Sequence, residues 1–240
     1  MKKALITGAN KGIGFETAKY LLQQGYYVYL GCRNPVLGAA ALAQLHAAGL
    51  TSCECITLDV TDAASVEQAV ITLQDRTTVL DVLINNAGIL GQMPAPMGEA
   101  GIVNAQQAFN TNYFGVIRVT SALLPLLQQA AQPRIVNVGS ETGSLTRHQQ
   151  PSWSFYAFKD AAYVPSKTAL NFYTIALAFQ LKDTAFKVNS VCPGFTATDL
   201  NNHTGVNKAS DSAKIIAHYA MLAADGPSGQ FFNAAGSLPW

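Results

Sequence analysis

The chain starts with the pattern that most constrains its fold. Residues 3–7 (K-A-L-I-T) contain a short apolar run typical of buried parallel strands, and the spacing G-x-x-x-G-x-G follows at once, from Gly8 to Gly14. Apolar residues then recur at helical spacing until Gly25. This order predicts a strand, a glycine turn and a helix, the opening unit of an α/β fold.

Each glycine of this turn has a physical role if the turn is a nucleotide site. Gly8 lets the backbone leave the strand tightly, Gly12 removes a side chain that would keep a pyrophosphate away, and Gly14 lets helix and sheet approach. The free N–H groups at the helix start then face an anion. A glycine-rich connection without a ligand is the alternative. Under the first interpretation the nucleotide contacts are Gly8, Asn10, Lys11, Gly12, Ile13 and Gly14.

Composition bounds the class of protein. The 240 residues contain no Pro/Gly/Ser-rich linker, so we expect one domain over residues 1–240. Apolar residues make up 49% of the chain and charged residues 12%, which predicts a large core and excludes a disordered chain. A net charge of +1 without a basic stripe makes nucleic acid and anionic membranes poor partners.

Cysteine and histidine spacings do not match disulfide or metal sites. The four cysteines lie in or beside predicted strands, so buried reduced thiols are expected. The four histidines are scattered without ligand spacing, and we expect no metal; His203 is a candidate substrate contact. The chain opens without the apolar segment of a signal peptide and lacks a membrane-spanning apolar run, so we expect a cytoplasmic protein.

The end of the second strand favours a phosphorylated dinucleotide. That strand is predicted from Tyr27 to Cys32, and in dinucleotide folds its end faces the adenosine ribose. Arg33 follows where a carboxylate would select NAD, and Lys11 adds a second cation. A guanidinium fork suits a 2′-phosphate, so the sequence favours NADP(H); two solvated surface cations are the alternative.

Two further strand ends carry polar residues. Strand three is predicted over 53–58, and Asp59 after it either accepts from the adenine amino group or, with Asp62, caps the helix over 63–73. Strand four, around Val82 to Ile84, ends in N-N-A-G, which suits a turn with unusual dihedrals that borders the cofactor.

The second half continues the alternation of strands and helices. One long helix is predicted over 104–129, with Asn112 in its middle either bonded to neighbouring backbone or holding a water. A helix to about residue 182 opens near Tyr163, because Pro165 belongs in a first turn. The remaining predicted elements are strands over 134–138, 187–191 and 230–233 and helices over 35–48 and 209–223. Alternation of this kind predicts a doubly wound parallel sheet of about seven strands, covered by helices on both faces.

The motifs T-G-x-x-x-G-x-G, N-N-A-G, a serine after strand five, Y-x-x-x-K and P-G occur in this order over nearly the whole chain. This set resembles the short-chain dehydrogenase/reductase family, which implies a Rossmann-type fold. The N-K-G-I-G turn, the C-R pair and the closing G-P-S-G-Q-F-F-N segment are most similar to NADPH-dependent carbonyl reductases. The resemblance implies reduction of a ketone or aldehyde, with NADP(H) as cofactor and a small carbonyl or alcohol as substrate.

Tyr163 and Lys167 are four residues apart and share a helix face. A nearby ammonium lowers the pKa of a phenol, and carbonyl reduction needs an acid with a tuned pKa, so we expect Tyr163 to protonate the carbonyl oxygen. The resemblance implies that Lys167 also binds the nicotinamide ribose, that Ser140 holds the carbonyl oxygen, and that Asn112 anchors a relay water. The further cofactor contacts that the resemblance implies are Asp59, Val60, Asn86, Ala87, Gly88, Pro193, Gly194 and Thr196.

Two segments are expected to cover the substrate. Residues 143–161 form an insertion longer than the family's common spacing, and residues 194–208 form a lid loop. Aromatic residues of the insertion either line a pocket for a lipophilic substrate or pack against the sheet end. These residues are Trp153, Phe155, Tyr156 and Phe158. The insertion also bears on the helix contacts through which family members form dimers and tetramers, so a homo-oligomer and a monomer both stay open.

A rival interpretation is a regulator that binds NADP(H) in the same fold without turnover. It predicts cofactor binding and no activity on any carbonyl. The presence of Tyr163, Lys167, Ser140 and Asn112 favours the enzyme.

Overall fold

The computed structural model describes residues 1–93 and 98–240. Its strands are β1 (Lys3–Thr7), β2 (Tyr27–Cys32), β3 (Cys53–Thr57), β4 (Val82–Asn85), β5 (Arg134–Val138), β6 (Lys187–Val191), β7 (Phe231–Asn233) and β8 (Gly236–Ser237). Its α-helices are α1 (Gly12–Gln23), α2 (Pro35–Ala47), α3 (Ala63–Gln74), α4 (Gly98–Phe109), α5 (Gly115–Leu127), α6 (Tyr163–Gln180) and α7 (Ala209–Ala220).

The strands form one sheet in the order β3-β2-β1-β4-β5-β6-β7-β8. Every neighbouring pair is parallel except β7 and β8. The prediction of a doubly wound parallel sheet is therefore confirmed, with one strand more than the seven expected. The additional strand, β8, is two residues long and returns antiparallel to β7 through a tight turn, which no apolar run in the sequence indicates.

The two faces of the sheet carry separate apolar layers. Buried side chains of α1, α2 and α7 pack on one face, and those of α3, α5 and α6 pack on the other. Strand order reverses between β1 and β4, and ligands of open α/β sheets bind in the crevice at the carboxyl ends of the strands that flank such a point. The glycine turn after β1 and the N-N-A-G turn after β4 both lie there. The prediction that residues 1–240 form a single domain stays a prediction.

The helix predicted over 104–129 is interrupted. The segment Asn110–Phe114 between α4 and α5 is wound as a π-helix, and Asn112 in it is fully buried. π-Helical turns inside longer helices are rare and frequently occur at functional sites. None of the helices in the described ranges has the length and apolarity that a bilayer span requires.

Candidate active site

The glycine turn after β1 is compact because its glycines carry no side chains. Gly8 and Gly12 take left-handed backbone angles, with φ of +66° and +57°. A Cβ on Gly14 would lie 2.5 Å from Asn86 Nδ2 and 2.5 Å from the carbonyl oxygen of Gly8. The close approach predicted for Gly14 is thus present, and its partner is the N-N-A-G turn.

Asn86 ties the two turns together. Its Nδ2 donates to the carbonyl oxygens of Thr7 at 2.8 Å and Gly8 at 3.2 Å. The backbone N–H groups of Asn86 and Ala87 both donate to Thr7 Oγ1 at 2.9 Å. The ends of β1 and β4 therefore form one rigid edge at the crevice.

The two cations predicted to face a 2′-phosphate, Lys11 and Arg33, have different surroundings. Arg33 is exposed directly after the buried Cys32 at the end of β2. Lys11 Nζ instead donates to Asp199 Oδ2 at 2.6 Å, and His203 Nε2 lies 2.8 Å from Asp199 Oδ1. The Lys11 ammonium lowers the pKa of the Asp199 carboxyl. Because the Lys11 and Asp199 side chains are 62% and 54% exposed, their ion pair contributes little net stability and leaves Lys11 free to exchange partners.

Of the two roles predicted for Asp59, the structure bears on the helix cap. Its Oδ1 accepts from the N–H and the hydroxyl of Thr61, at 2.9 and 2.7 Å, and the cap of α3 comes from Asp62. Asp59 therefore shapes the loop after β3 and does not cap the helix. The carbonyl oxygen of the neighbouring Val60 accepts from the guanidinium of Arg118 on α5.

Tyr163, Lys167 and Ser140 meet at the carboxyl end of β5. Tyr163 is the first residue of α6, as predicted, and Lys167 lies one turn further along the same helix. Lys167 Nζ is 5.7 Å from the centroid of the Tyr163 ring and donates to the carbonyl oxygen of Val138 at 2.8 Å. A Cβ on Gly88 would be 3.7 Å from Lys167 Nζ, so the N-N-A-G turn reaches the same point.

The pKa of Tyr163 departs from the sequence-based expectation. Burial raises the pKa of the Tyr163 phenol to about 12, and hydrogen bonding to Ser140 offsets only part of this rise. Burial also lowers the pKa of Lys167 to about 8. The expectation of a lowered phenol pKa is therefore wrong, because desolvation raises the pKa of Tyr163 by more than hydrogen bonding to Ser140 lowers it. The Tyr163 phenol is therefore a protonated group at neutral pH.

Asn112 follows the first of the two alternatives considered for it. Its Oδ1 accepts from the N–H of Ile89 at 2.9 Å, and its Nδ2 donates to the Ile89 carbonyl oxygen at 2.9 Å and to Ser166 Oγ at 3.0 Å. Ser166 Oγ in turn donates to the carbonyl oxygen of Tyr163 at 2.7 Å. The amide thereby links the segment after β4 to the start of α6.

Cys192 is a free, buried thiol, as predicted, and it lies beside the site. Its Sγ accepts from the N–H groups of Glu141 and Gly194, both at 3.3 Å. Burial raises the pKa of the Cys192 thiol to about 11, and the thiol lies close enough to Tyr163 and Lys167 to act on the pKa of each. Its position directly before P-G is the signal that could have found it.

The comparisons with known proteins agree with this arrangement. A family model described as short chain dehydrogenase matches residues 2–209. The chain belongs to the short-chain dehydrogenase/reductase family. It is therefore an oxidoreductase, as the motif order predicted.

Relatives of this short-chain dehydrogenase/reductase match over nearly their whole length. (+)-Neomenthol dehydrogenase from Capsicum annuum is 31% identical, over 95% of this chain and 94% of the relative. Salutaridine reductase from Papaver bracteatum is 33% identical, over 98% of this chain and 95% of the relative. The crystal structure of NADPH-bound carbonyl reductase from chicken fatty liver matches with a TM-score of 0.83 at 26% identity, over 100% of this chain and 99% of that one.

Thr196, predicted as a cofactor contact, and Thr198 have different surroundings in the loop over residues 194–208 of this short-chain dehydrogenase/reductase. Thr196 is buried, and its Oγ1 lies 2.6 Å from Ser212 Oγ on α7. Thr198 is the residue that faces the turn, since its Cγ2 would be 3.5 Å from a Cβ on Gly12. Sequence reasoning missed Thr198 and its neighbour Asp199, because their proximity to the glycine turn depends on the path of the whole loop.

The segments predicted as an insertion (residues 143–161) and a lid (residues 194–208) are in contact through aromatic rings. The ring centroids of Trp153 and Phe155 are 5.7 Å apart, and those of Phe155 and Phe195 are 5.6 Å apart in an edge-to-face arrangement. Tyr156 lies outside this series, with its ring under the Lys159 ammonium at 4.5 Å. Residues 143–161 therefore pack on the loop over residues 194–208 through Phe155 and Phe195. The residues that the structure describes contain no group of three histidine, cysteine, aspartate or glutamate side chains suited to hold a metal ion.

Proposed function

We propose that this short-chain dehydrogenase/reductase reduces the carbonyl group of a lipophilic ketone or aldehyde to an alcohol with NADPH. The observation that carries the proposal is the meeting of Ser140, Tyr163 and Lys167 at the carboxyl end of β5, beside the glycine and N-N-A-G turns. A proton donor, a polar hydroxyl and a cation are thereby next to the crevice in which nucleotides bind in this fold.

The residues at the crevice fit a dinucleotide. The left-handed Gly12 carries no side chain toward the crevice, and α1 begins at this residue with N–H groups free for an anion. Gly88 places no side chain beside Lys167, where a Cβ would stand 3.7 Å from Nζ. We infer that the glycine turn binds the pyrophosphate and that Lys167 and the N-N-A-G turn bind the nicotinamide end. NADPH, when bound, supplies the hydride that the carbonyl carbon receives.

The protein's own residues complete the reduction. Because its pKa is about 12, the Tyr163 phenol holds its proton at neutral pH and donates it to the carbonyl oxygen. Ser140 donates to the same oxygen while negative charge develops there. Lys167, charged below about pH 8, stabilises the phenolate that the proton transfer leaves. The substrate carbon thus gains a hydride and its oxygen gains a proton.

The choice of a phosphorylated cofactor rests on Arg33. The guanidinium stands at the end of β2, and the buried neighbour Cys32 offers no carboxylate for ribose hydroxyls. Lys11 shares its charge with Asp199 and is a weaker candidate for the phosphate. The chicken protein whose structure matches this chain is a carbonyl reductase with NADPH bound, which favours the same cofactor here.

The lipophilic character of the substrate rests on the aromatic insertion. Trp153, Phe155 and Phe195 form a series of rings in the two segments that we propose as the substrate cover. Aromatic walls with few polar groups favour apolar ligands. The two plant relatives, a dehydrogenase and a reductase, fit this reaction class in either direction.

The proposal is tested by a panel of cyclic, aromatic and aliphatic carbonyl compounds, assayed with NADPH and with NADH side by side. We expect turnover of at least one apolar ketone or aldehyde with NADPH. Tyr163→Phe should lower kcat by about 10²- to 10⁴-fold, the range typical of a general acid, and leave the Kd for NADPH unchanged. Tyr20→Phe, a partly buried tyrosine on α1, serves as the matched control.

Two results would contradict the proposal. NADPH binding without activity on any member of the panel would favour the regulatory alternative. Near wild-type turnover in Tyr163→Phe would remove the proton-donor role while leaving the reductase class intact.

A further inference from the structure

The carboxylate of Asp160 holds the start of the helix that carries Tyr163. Its Oδ1 accepts from the N–H groups of Ala162 at 2.7 Å and Tyr163 at 2.6 Å, and its Oδ2 accepts from the N–H of Val164 at 3.2 Å. The first N–H groups of a helix have no partner within the helix, so one side chain here satisfies three of them.

Tyr163 is the first residue of α6 and therefore belongs to the turn that frays most readily. Side chains hold both of its main-chain polar groups: Asp160 accepts from its N–H, and Ser166 donates to its carbonyl oxygen. The Ser166 hydroxyl is itself tied to Asn112 at 3.0 Å. Two separate segments, the insertion and the π-helix, thus fix the backbone from which the phenol extends.

We propose that Asp160 is a positioning residue for the carbonyl reduction: by fixing the main chain at Ala162 and Tyr163, its carboxylate sets where the phenol stands relative to Ser140. Small displacements of reacting groups carry large rate costs, because the productive geometry tolerates only fractions of an ångström. The insertion therefore has a role in orienting the proton donor, in addition to the cover that it shares with the lid.

The charge of Asp160 also acts on the phenol. It raises the pKa of Tyr163, in the same direction as burial and Cys192 and against the hydrogen bond from Ser140. The partial positive charge of a helix N-terminus favours the phenolate, so a carboxylate at this end opposes it. The hydrogen bonds of Asp160 keep Tyr163 in place, and its charge keeps the phenol protonated before the reaction.

Three variants of the full-length protein test the inference. Asp160→Ala removes both acceptor oxygens and all three hydrogen bonds, whereas Asp160→Asn keeps one oxygen in the place of Oδ1, which accepts from Ala162 and Tyr163. Asp183→Ala is the matched control, because Asp183 is an exposed aspartate just beyond the other end of α6. The substrate is whichever carbonyl compound of the panel turns over fastest with NADPH.

We expect Asp160→Ala to lose roughly 10-fold in kcat, with KM and the Kd for NADPH changed by less than about 2-fold, because misplaced catalytic groups lower the rate without weakening binding. The solvent deuterium isotope effect on kcat should rise in this variant, since proton transfer becomes slower. Asp160→Asn should recover most of the lost rate, and Asp183→Ala should match the wild type in every measurement.

The inference rests on the proposed function, and one further readout separates the two. Amide hydrogen exchange at Tyr163, followed by NMR, needs no substrate and should quicken by at least about 10-fold in Asp160→Ala, because the N–H loses its acceptor. If the Tyr163 amide exchanged as slowly in Asp160→Ala as in the wild type, the inference would be overturned, even if the wild-type enzyme reduced no carbonyl compound. Faster exchange with an unchanged kcat and isotope effect would also overturn it and would make Asp160 a helix cap alone.

Discussion

Replacing Gly14 with alanine tests whether the glycine turn depends on close packing between α1 and the N-N-A-G turn. The added Cβ would lie 2.5 Å from Asn86 Nδ2, 2.5 Å from the Gly8 carbonyl oxygen and 3.1 Å from Ala9 Cα. The first two distances are too short for any real contact. The carbonyl oxygen belongs to the backbone, and the Asn86 amide is held by two hydrogen bonds, so neither can give way easily.

Steric overlap and helix propensity act in opposite directions on the free energy of unfolding of Gly14→Ala. Overpacking of this kind costs about 1–3 kcal/mol, and displacing the Asn86 amide puts at risk two hydrogen bonds that each contribute about 1 kcal/mol. Alanine gains roughly 1 kcal/mol over glycine in a helix. Steric overlap therefore outweighs helix propensity, and we expect a net destabilisation of about 3 kcal/mol. For a chain of this length that corresponds to a fall in Tm of roughly 6–12 °C.

Urea unfolding followed by circular dichroism measures this loss, with thermal unfolding as a second probe. Gly25→Ala is the matched control, because Gly25 has a φ of +81° and a Cβ there would meet no atom within 4 Å. Its cost comes from the left-handed backbone alone, about 1 kcal/mol. Asn86→Ala in the Gly14→Ala background should relieve part of the overlap, so the double variant should lose less than the two single losses added together.

A Gly14→Ala protein as stable as the wild type would refute this reasoning. It would mean that the turn has room for a side chain and that the glycine serves the ligand only. Strict additivity with Asn86→Ala would refute the assigned contact and leave the overlap with Gly8 as the only cause.

The remaining predictions concern the cofactor and pH. Arg33→Ala should weaken NADPH binding by about 10- to 100-fold, the cost of losing a charge-assisted bond to phosphate, and leave the Kd for NADH unchanged by titration calorimetry. Lys182→Ala, an exposed cation just beyond α6, is its control, and equal losses for both cofactors would contradict the assignment. The kcat/KM for NADPH should fall as pH rises through about 8, because burial depresses the pKa of Lys167 and the ammonium is present only below that value. Tyr163, with a pKa of about 12, stays protonated while Lys167 titrates. A kcat/KM that fell only above pH 10 would show that Lys167 does not set the pH dependence.

Much of the fold could be predicted because its information is local. The strands β1, β2, β5 and β6 begin and end at the predicted residues, since each places apolar residues of a buried strand between turn residues. The start of α6 at Tyr163 followed from the place that Pro165 can take in a helix. In each case a few neighbouring residues determine the backbone.

Features that depend on distant partners could not be predicted. The π-helix around Asn112 accompanies the bonds of its amide to Ile89 and Ser166. The pairing of Lys11 with Asp199 joins residues far apart in sequence. No periodicity or spacing carries such information.

The candidate site shows the same difference between features that local sequence determines and features that depend on distant residues. Residue types and their order predict Ser140, Tyr163 and Lys167 as site residues, because their chemistry is a property of the side chains themselves. Their protonation was decided only by the tertiary structure: burial from several elements raises the pKa of Tyr163 and lowers that of Lys167. The sequence thus determined which groups are present, and the packed structure determined their charge, since desolvation depends on everything that surrounds a group.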